Sequence, residues 1–358
     1  MSSIDIIREC KIDKTPRFVQ LSGLFDLPPM EKSKQSWHIE YDLEEKPWNI
    51  GLIIGPSGCG KSTIAEEIFG KHIKTFEWSE DKSVVDDFPE DMSIKEITKL
   101  LSSVGFSSPP GWVKPYHVLS TGEQFRVLCA RTLAENDGLS VIDEFTSVVD
   151  RDVAKIASHT VQRVVRQRKQ KLIAVSCHYD ILDWLQPDWI LEPLNGVIQW
   201  RSVQRRPKIQ IEIYRADRSI WPLFAPHHYL STKLHRAAQC YVAVVWGRLA
   251  AFYAMIPFPH PKSPGWRGHR AVCLPDFQGV GLGRVLVDVV SAHYKTITKN
   301  VGFTTSHPAM NQSLNHDPLW RMIRKPSINA KASDVVGFKR QLRYTTSFRY
   351  VGPAEKLE

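Results

Sequence analysis

Residues 52 to 63 read Leu-Ile-Ile-Gly-Pro-Ser-Gly-Cys-Gly-Lys-Ser-Thr, an apolar run that enters a glycine-rich turn. The turn fits the pattern G-x-x-x-x-G-K-S, and a helix-compatible segment follows it. Glycine lets the backbone curl so that several N–H groups converge on one anion, Lys61 supplies a point charge, and the Ser62 hydroxyl is placed to ligate Mg²⁺. The stretch therefore predicts a phosphate cradle made of Gly55, Pro56, Ser57, Gly58, Cys59, Gly60, Lys61, Ser62 and Thr63.

The chain has 358 residues and a formal net charge of +9, and this charge is unevenly distributed. Residues 1–204 hold 24 Lys and Arg against 30 Asp and Glu, a balance of −6, whereas residues 205–358 hold 23 against 8, a balance of +15. The length and this asymmetry predict two domains, 1–204 and 205–358. The basic half is expected to face an anion, such as nucleic acid, a phosphorylated cofactor or an acidic partner; a basic surface kept for solubility is the alternative.

Cysteine usage and hydropathy predict the cellular compartment of the protein. The six cysteines are scattered without a C-x-x-C pair, which predicts reduced thiols in a cytoplasmic protein. The N-terminal residues lack the basic and apolar regions of a secretory signal. The most apolar stretch, 240–258, is interrupted by Gly247 and Arg248, so it is interpreted as a β-hairpin and no membrane segment is predicted.

Two apolar runs after the cradle end in polar side chains that suit nucleotide chemistry. Residues 139–145 form a predicted buried strand that ends in Asp143 and Glu144, and residues 172–176 form another that leads to His178. Beside a phosphate cradle, Asp143 is placed to hold Mg²⁺ and Glu144 to polarise the attacking water, with His178 within reach of a γ-phosphate. A surface acidic pair and a structural histidine are the alternatives. Before the cradle, residues 17–21 and 37–41 are also predicted strands.

A second half-site for phosphate is predicted where a helix begins near Ser120. Ser120 is a capping residue, Glu123 lies in the first turn, and Gly122 leaves the N–H groups of that turn accessible. An exposed helix N-terminus of this kind attracts anions. The chain thus carries two half-sites for phosphate.

Residues 50–185 resemble an ABC-type ATPase domain, because the motifs of that family occur here in the family's order. They are Walker A at 55–62, the signature at 119–124, Walker B at 141–144, a D-loop at 147–150 and the switch histidine His178. The resemblance implies a head-to-tail ATP sandwich in which Ser120 and Gly122 of one protomer close on the γ-phosphate held by the other. It therefore implies an ATP-dependent homodimer, with ATP and Mg²⁺ as cofactors.

This sequence departs from the family's pattern in two ways. No glutamine occurs between residues 76 and 94, where the Q-loop should fall, so its metal contact is absent or taken by Asp86 or Asp87. The stretch between Walker A and the signature is short, which together with the lack of a membrane segment favours a soluble ATPase. The aromatic candidates for stacking on adenine, each of which also fits a core position, are Phe25, Trp37 and Tyr41.

The second half has its own glycine pattern. After a predicted strand at 208–214 and the hairpin, a further strand runs into Gln278-Gly279-Val280-Gly281-Leu282-Gly283, and an amphipathic helix begins near Arg284. Glycine at every second position lets backbone N–H groups approach a diphosphate at the helix N-terminus, where Arg284 adds positive charge. A tight strand-to-helix turn without a ligand is the alternative.

Residues 208–350 resemble a GNAT acetyltransferase, since a strand, helices and a hairpin precede the Q-x-x-G-x-G loop and strands near 302–306 and 347–351 follow it. The resemblance implies that the amides of residues 279–284 hold the pyrophosphate of acetyl-CoA and that Asn311 meets the pantetheine arm. The tyrosine often used as general acid in this family has no clear match. The candidates to replace it are His307, His316, Tyr350 or a water molecule.

Basic and aromatic side chains are interleaved between residues 320 and 349, a combination that suits nucleic acid, above all RNA, whose bases stack on rings. The aromatic ones are Trp320, Phe338, Tyr344 and Phe348. The basic ones are Arg321, Arg324, Lys325, Lys331, Lys339, Arg340, Arg343 and Arg349. We hypothesise that RNA binds this stretch.

Together these features predict an α/β protein, a P-loop NTPase of ABC type followed by a GNAT-like α+β domain with a central mixed sheet. The predicted function is ATP hydrolysis coupled to acetyl-CoA-dependent N-acetyl transfer, with RNA or a nucleic-acid-associated protein as acceptor. The rival hypotheses are an ATP-gated nucleic-acid clamp with a non-catalytic C-terminal domain, an acetyltransferase for a small amine or protein lysine that ATP regulates, and the nucleotide-binding subunit of a membrane complex.

Overall fold

The computed structural model describes residues 2–25, 32–136, 138–202, 207–229, 233–261, 263–328 and 344–357. The chain divides into two compact units. The first unit contains Met1–Thr75, Asn136–Ser147 and Val165–Arg205, and the second contains Phe76–Glu135, Val148–Val164 and Arg206–Glu358. The second unit thus joins the predicted signature helix to the C-terminal half of the chain. The predicted domain limits, 1–204 and 205–358, stay a prediction, because residues 203–206 lie outside the described ranges.

Strands and helices are numbered separately in chain order. The strands are β1 (Ser2–Lys11), β2 (Lys32–Tyr41), β3 (Ile50–Ile54), β4 (Leu139–Ile142), β5 (Lys171–Ser176), β6 (Trp189–Leu191), β7 (Ile198–Trp200), β8 (Glu212–Ala216), β9 (Gln239–Val245), β10 (Arg248–Phe258), β11 (Gly265–Cys273), β12 (Val301–Thr305), β13 (Trp320–Ile328) and β14 (Tyr344–Tyr350). The helices are α1 (Pro16–Phe25), α2 (Lys61–Phe69), α3 (Ile94–Ser103), α4 (Pro109–Trp112), α5 (Thr121–Glu135), α6 (Arg151–Gln167), α7 (Leu182–Leu185), α8 (Trp221–Phe224), α9 (Leu282–Lys295) and α10 (Pro308–Asn315).

A five-stranded sheet in the order β4-β5-β3-β6-β7 forms the centre of the first unit. Strands β3, β4, β5 and β6 are parallel, and β7 pairs antiparallel with β6. β3 is buried along its whole length, which agrees with the continuous apolar sequence that a covered parallel strand requires. Because the carboxyl ends of parallel strands meet at one edge of a sheet, the segments that follow β3, β4 and β5 come to the same edge.

One N-terminal element differs from its prediction. Residues 17–21, predicted as a strand, lie in α1, so this prediction was wrong. Thr15 caps the helix: its carbonyl accepts the Val19 N–H at 3.0 Å and its hydroxyl accepts the Phe18 N–H at 3.3 Å. Pro16 occupies the first helical position, where the missing N–H of proline is no loss. The strand predicted at 37–41 is confirmed as part of β2, which pairs antiparallel with β1.

The second unit is built on a seven-stranded mixed sheet in the order β13-β14-β12-β11-β10-β9-β8. The hairpin predicted within 240–258 is confirmed, and its turn residues Trp246 and Gly247 have φ angles of 51° and 72°, as a tight hairpin turn requires. The strand predicted at 208–214 is displaced, since β8 spans Glu212–Ala216. The strand β13 was not predicted.

The neighbours β11 and β12 are the parallel pair of this sheet, and they diverge. Their register contains Trp266 opposite Val301 and Arg267 opposite Gly302, at the beginning of each strand. β11 continues to Cys273 and β12 to Thr305 beyond these pairs. The two strands therefore separate toward their carboxyl ends, and we call this separation the open end of the β11–β12 pair.

Two general features complete the description. Within the described ranges, no helix has the length and apolar character needed to cross a membrane. All six cysteines carry free thiols.

Candidate functional site

The phosphate cradle predicted at 55–63 lies between the carboxyl end of β3 and the beginning of α2. Gly58 and Gly60 have φ angles of 79° and 96°, in the region that glycine adopts without strain. Pro56 and Ser57 at the start of the turn are exposed, so the turn is accessible to a ligand. The Lys61 ammonium donates to the Pro56 carbonyl at 2.9 Å, which holds its charge across the turn.

Three other predicted residues reach the same edge of the sheet. Asp143 and Glu144 follow β4, and His178 follows β5, which lies between β4 and β3. The registers of these strands align their final residues, and the Phe145 N–H donates to the Val175 carbonyl at 2.8 Å. The structure therefore brings the predicted acidic pair and the predicted histidine to the edge that carries the cradle.

The geometry of the acidic turn distinguishes the two carboxylates. Asp143 is half-buried and its Oδ1 accepts the Glu144 N–H at 2.8 Å. Glu144 is exposed and has a φ of 51°, which is uncommon for a residue other than glycine. Asp143 thus holds the turn that leaves the Glu144 side chain accessible to solvent. His178 is half-buried, and its N–H donates to the Ser176 hydroxyl at 3.2 Å.

Of the three aromatic candidates for base stacking, Trp37 lies at the cradle. Its Nε1 donates to the Cys59 carbonyl at 2.8 Å, and a Cβ placed on Gly60 would lie 2.4 Å from its ring. Phe25 is 68% exposed at the end of α1, and Tyr41 packs against the core of the first unit. A cavity of about 240 Å³ adjoins Trp37 and is lined by Gln35, Ser36, Trp37, Gly58, Cys59 and Leu194.

These residues fit a nucleotide with Mg²⁺. The glycine turn and Lys61 offer the backbone N–H groups and the positive charge that phosphates require, and the cavity beside Trp37 is lined by Gly58 and Cys59 of the same turn. Ser62 in the first turn of α2 and Asp143 after β4 offer the oxygen ligands that Mg²⁺ prefers. Within the described ranges, no group of three or more His, Cys, Asp or Glu residues could hold a metal on its own.

The predicted signature segment belongs to the second unit, where Ser120 caps α5. The Ser120 N–H and hydroxyl donate to Glu123 Oε2 at 3.0 and 2.9 Å, and the Glu123 N–H donates back to the Ser120 hydroxyl at 3.4 Å. Ser120 is exposed, whereas Gly122 is half-buried. A Cβ on Gly122 would lie 3.3 Å from Val153 and 3.8 Å from Asp276 Oδ1, so the signature glycine lies beside residues from two other parts of this unit.

The two aspartates considered in place of the missing glutamine are engaged locally. The Ser83 hydroxyl donates to Asp86, and the Ser79 hydroxyl donates to Asp87 Oδ1 at 2.6 Å. The Ser79 N–H also donates to Asp87, at 3.2 Å. Both carboxylates therefore already accept hydrogen bonds from serines earlier in the same segment. A capping box of Ser93 and Glu96 marks the start of α3.

The predicted acetyl-CoA loop lies between β11 and α9. Gly279 and Gly281 have φ angles of 92° and 87°, and Gly281 is the residue that precedes α9. Gly281 is exposed, and among the described residues no atom lies within 4 Å of a Cβ placed on it. The first N–H groups of a helix have no partner within the helix, so this turn offers donors to an anion. The loop therefore fits the diphosphate part of a CoA molecule.

Two other predicted acetyl-CoA residues have partners within the protein. The Arg284 guanidinium binds Asp288 Oδ1 and Asp317 Oδ2, each at 2.9 Å, and the Ser313 hydroxyl at 3.1 Å. Two carboxylates thus neutralise the charge that was predicted to face the diphosphate. The Asn311 amide donates to the Thr346 hydroxyl at 2.9 Å, from α10 to β14.

The candidates for the acid or base of acetyl transfer differ in availability. His307 is mostly buried, its Nε2 lies 2.8 Å from the Ser107 carbonyl, and its Nδ1 caps α10 by accepting the Met310 N–H at 3.5 Å. Burial lowers the pKa of His307, which favours the neutral ring. Tyr350 is 2% exposed, and burial raises its pKa. His316 is exposed at the end of α10.

The structure changes the interpretation of the basic, aromatic stretch. Trp320 is 5% exposed and donates from Nε1 to Asp288 at 2.7 Å, and Phe348 is fully buried. Both belong to the core that packs under α9, so neither ring presents a face to a base. Five of the predicted residues, Lys331, Phe338, Lys339, Arg340 and Arg343, lie outside the described residues. Arg321, Arg324, Lys325 and Arg349 are exposed.

Sequence reasoning missed a fully buried arginine in α5. Arg126 donates from Nη1 to the Pro275 carbonyl at 2.6 Å and from Nη2 to the Asp276 carbonyl at 3.0 Å. Burial lowers the pKa of Arg126, and the Asp276 carboxylate opposes that change. Arg126 therefore holds the short turn that leads into the predicted acetyl-CoA loop. An arginine at a buried position of an otherwise apolar helix face was the available signal.

Comparisons with known proteins concern the fold. No protein-family model matches the sequence, and no curated protein matches it. Different parts of the chain are similar to ATP-binding cassettes and to a GNAT acetyltransferase. The fold is mixed α/β, as predicted.

Three solved structures illustrate these similarities. A bacterial Atm1-family ABC exporter with ATP bound aligns over 45% of this chain with 19% identity and a TM-score of 0.35, and the chain spans 36% of that exporter. A dimeric, post-hydrolysis ATP-binding cassette bound to ADP and Pi aligns over 48% of this chain and 93% of its own, with 15% identity and a TM-score of 0.37. A Bacillus subtilis acetyltransferase in complex with CoA aligns over 40% of this chain and 98% of its own, with 16% identity and a TM-score of 0.31. Function is therefore inferred from the geometry of the two sites.

Proposed function

We propose that this protein hydrolyses ATP in its first unit and binds acetyl-CoA in its second unit for transfer of the acetyl group to an amine. The observation that carries the first part is the arrangement of the glycine cradle, Asp143, Glu144 and His178 at one edge of a parallel sheet. The second part is supported by the glycine turn before α9 next to two diverging parallel strands.

In the proposed ATPase, the amides of residues 58–63 and Lys61 hold the phosphates, and Trp37 stacks on the base. Mg²⁺, bound by Ser62 and Asp143, would neutralise negative charge on the β- and γ-phosphates. Glu144, whose side chain is exposed beside the cradle, orients and polarises the attacking water. His178 donates a hydrogen bond to the γ-phosphate. Ser120 and Gly122 of a second copy complete the site, so ATP favours a homodimer.

In the proposed acetyltransferase, the N–H groups of residues 279–283 hold the diphosphate of acetyl-CoA. Because Asp288 and Asp317 neutralise Arg284, backbone dipoles supply most of the attraction. Both ring nitrogens of His307 have partners and Tyr350 is buried, so water acting as the base fits the site better than either side chain.

One observation supports nucleic acid as the acceptor or partner. Arg321 of β13 and Arg349 of β14 are directly opposite in the sheet register, and both are exposed. Like charges at opposed positions destabilise a strand pair, and a phosphate between them would relieve the repulsion. Replacing both arginines with alanine should weaken RNA retention and lower its salt dependence by a slope of about 0.7 per lost phosphate contact. The variant Arg215→Ala is the control, because Arg215 is exposed on β8 at the opposite edge of this sheet.

Two variant pairs test the proposed function. Glu144→Gln should reduce ATP hydrolysis by at least about 100-fold while ATP still binds, whereas Glu45→Gln, an exposed residue of the same unit, should leave hydrolysis unchanged. Gly281→Asp should abolish CoA binding by placing a negative charge in the turn. Gly247→Asp is its matched control, because Gly247 also has a positive φ and open space around it. Hydrolysis that survives in Glu144→Gln, or CoA binding that survives in Gly281→Asp, would contradict the corresponding half of the proposal.

A further inference from the structure

Residues 105–108, which follow α3, connect the two sides of the open end of the β11–β12 pair, and we call them the strap. The Ser107 N–H donates to Gln278 Oε1 at 2.6 Å, and the Ser107 carbonyl accepts from His307 Nε2 at 2.8 Å. Gln278 follows β11 and donates to the Cys273 carbonyl at 2.9 Å, whereas His307 follows β12 and donates from its N–H to Thr305 Oγ1 at 3.0 Å. One residue of the strap thus joins the ends of two diverging strands.

The strap is closely packed against the acetyl-CoA loop. Gly105 has a φ of 95°, and a Cβ placed on it would lie 2.9 Å from the Gln278 carbonyl oxygen. A Cβ on Gly279 would lie 2.8 Å from Gly105 Cα. Phe106 is fully buried. Backbone therefore meets backbone here, in a contact that only glycine on both sides allows.

Neighbouring side chains fix this arrangement from α6. Arg163 donates from Nη2 to the Gly279 carbonyl at 3.0 Å. The Thr160 hydroxyl donates to the Val104 carbonyl, one residue before the strap, at 2.9 Å. With Arg126 on the preceding turn, two arginines from helices α5 and α6 hold the loop in contact with the strap.

A CoA molecule bound as proposed above would have to pass the strap. A ligand whose diphosphate rests on residues 279–283 and whose arm reaches Asn311 leaves the loop after β11 and crosses to the residues after β12. The arm of CoA contains amides, each with one N–H and one carbonyl. The strap presents the same two groups, from Ser107, to Gln278 and His307.

We propose that the strap is an autoinhibitory segment whose Ser107 backbone groups take the place of an amide of the CoA arm, so that acetyl-CoA binds fully only after the strap has moved. This inference rests on the proposed function of the second unit. The glycine turn proposed to bind the diphosphate stays accessible while the strap is in place, since Gly281 is exposed. CoA and a ligand that contains only its nucleotide part should therefore respond differently to changes in the strap.

Backbone substitutions test the strap directly. Ser107→Pro removes the N–H that donates to Gln278 and places a ring carbon against its oxygen, whereas Ser107→Ala keeps both backbone hydrogen bonds and is the matched control. The ligands are CoA and adenosine 3′-phosphate 5′-diphosphate, which lacks the arm, and binding is measured by calorimetry. Ser107→Pro should bind CoA about two- to tenfold more tightly than wild type, because one hydrogen bond no longer competes. The arm-less ligand should bind all three proteins equally.

A second pair of variants tests the strap even if Ser107→Pro does not fold. Gly105→Ala drives a methyl group toward the Gln278 carbonyl, whereas Gly138→Ala has a similar φ of 97° with no described atom within 4 Å. Gly105→Ala should strengthen CoA binding and Gly138→Ala should not. Equal CoA affinity in wild type, Ser107→Pro and Gly105→Ala would contradict the autoinhibitory role of the strap, whereas the proposal that the second unit binds CoA would stand. If wild type binds neither ligand, the proposed acetyltransferase itself fails, and the proposed role of the strap with it.

Discussion

Arg248 and Asp150 form an ion pair, with Nη1 of the arginine 3.2 Å from Oδ1 of the aspartate. The same guanidinium lies 3.4 Å from Asp152 Oδ2 and 3.1 Å from Asp276 Oδ2. Asp150 ends the predicted D-loop, and Asp276 lies two residues before the acetyl-CoA loop. Within the second unit, one arginine at the start of β10 therefore connects the last residue of the predicted D-loop to the turn before the predicted acetyl-CoA loop.

We expect Arg248→Ala to uncouple nucleotide from CoA binding. The Arg248 and Asp150 side chains are 43% and 60% exposed, so their pairing adds at most about 1 kcal/mol to the free energy of unfolding. The measurement is the ratio of CoA dissociation constants with and without a non-hydrolysable ATP analogue, which should move toward one in the variant. Arg267→Ala, on the neighbouring strand, should keep the wild-type ratio. An unchanged ratio in Arg248→Ala would show that this arginine carries no coupling.

Removal of the Arg126 guanidinium should destabilise the second unit. Arg126→Met leaves the Pro275 and Asp276 carbonyls without their donors in a buried place, at an expected cost of about 3 kcal/mol in the free energy of unfolding. Lys99→Met in α3 changes an exposed residue of the same unit, and it should alter the free energy of unfolding by at most about 0.5 kcal/mol. Urea denaturation compares the two. Equal losses would mean that the turn before the loop does not depend on Arg126.

Trp37 should determine the affinity for ATP. Base stacking on an aromatic ring contributes about 1–3 kcal/mol, so Trp37→Ala should raise the ATP dissociation constant by at least about fivefold. Trp37→Phe keeps a ring and loses the hydrogen bond to Cys59, so its affinity should fall between those of wild type and Trp37→Ala. Phe25→Ala, the exposed aromatic at the end of α1, is the control. The dissociation constants are measured by calorimetric titration with ATP. Equal values for Trp37→Ala and wild type would show that the adenine does not stack on Trp37.

Stability should fall in mild acid because of His269. Burial, with smaller effects from Arg270 and His235, lowers the pKa of His269 to about 4 from 6.5. Its Nε2 accepts the His235 N–H at 3.1 Å, which requires an unprotonated nitrogen. Between pH 6.5 and about 4 the unfolded chain binds a proton that the folded chain does not, so the free energy of unfolding decreases as the pH falls through this window.

The variant His269→Gln keeps an acceptor near the His235 N–H and removes the titration. Urea denaturation at about pH 7, 6 and 5 should show a smaller loss of stability in the variant than in wild type. The buried His307, whose pKa is also lowered, retains its own acid sensitivity in both proteins. Identical losses in the two proteins would exclude His269 as a source of the effect.

The first-unit site was predictable from local sequence to a large extent. Three apolar strand-length runs each end in the residues that chemistry needs, and parallel pairing then brings those ends together. The error at residues 17–21 was avoidable, because Thr15 followed by Pro16 is a start signal for a helix.

The second-unit site was not predictable in the same way. Ser107 and Gln278 are 171 positions apart, and Arg126 and Pro275 are 149 apart, so no periodicity or spacing connects them. Arg284 illustrates the reverse case: its position at the start of α9 suggested a ligand, but Asp317 from a later turn binds it. Such pairings depend on how the seven-stranded sheet is placed against α3, α5 and α6 within the unit.

The Arg126 contacts also bear on synthesis of the chain. A ribosome releases α5 about 150 residues before Pro275 and Asp276, the residues whose carbonyls accept from its guanidinium. At roughly 5–20 residues per second, the nascent chain carries this arginine for on the order of ten seconds without those partners. Helix α5 can form early, but its environment is completed only when the sheet of the second unit has emerged. Emergence of residues 275 and 276, rather than of the first half of the chain, is thus the step at which the Arg126 guanidinium meets its acceptors.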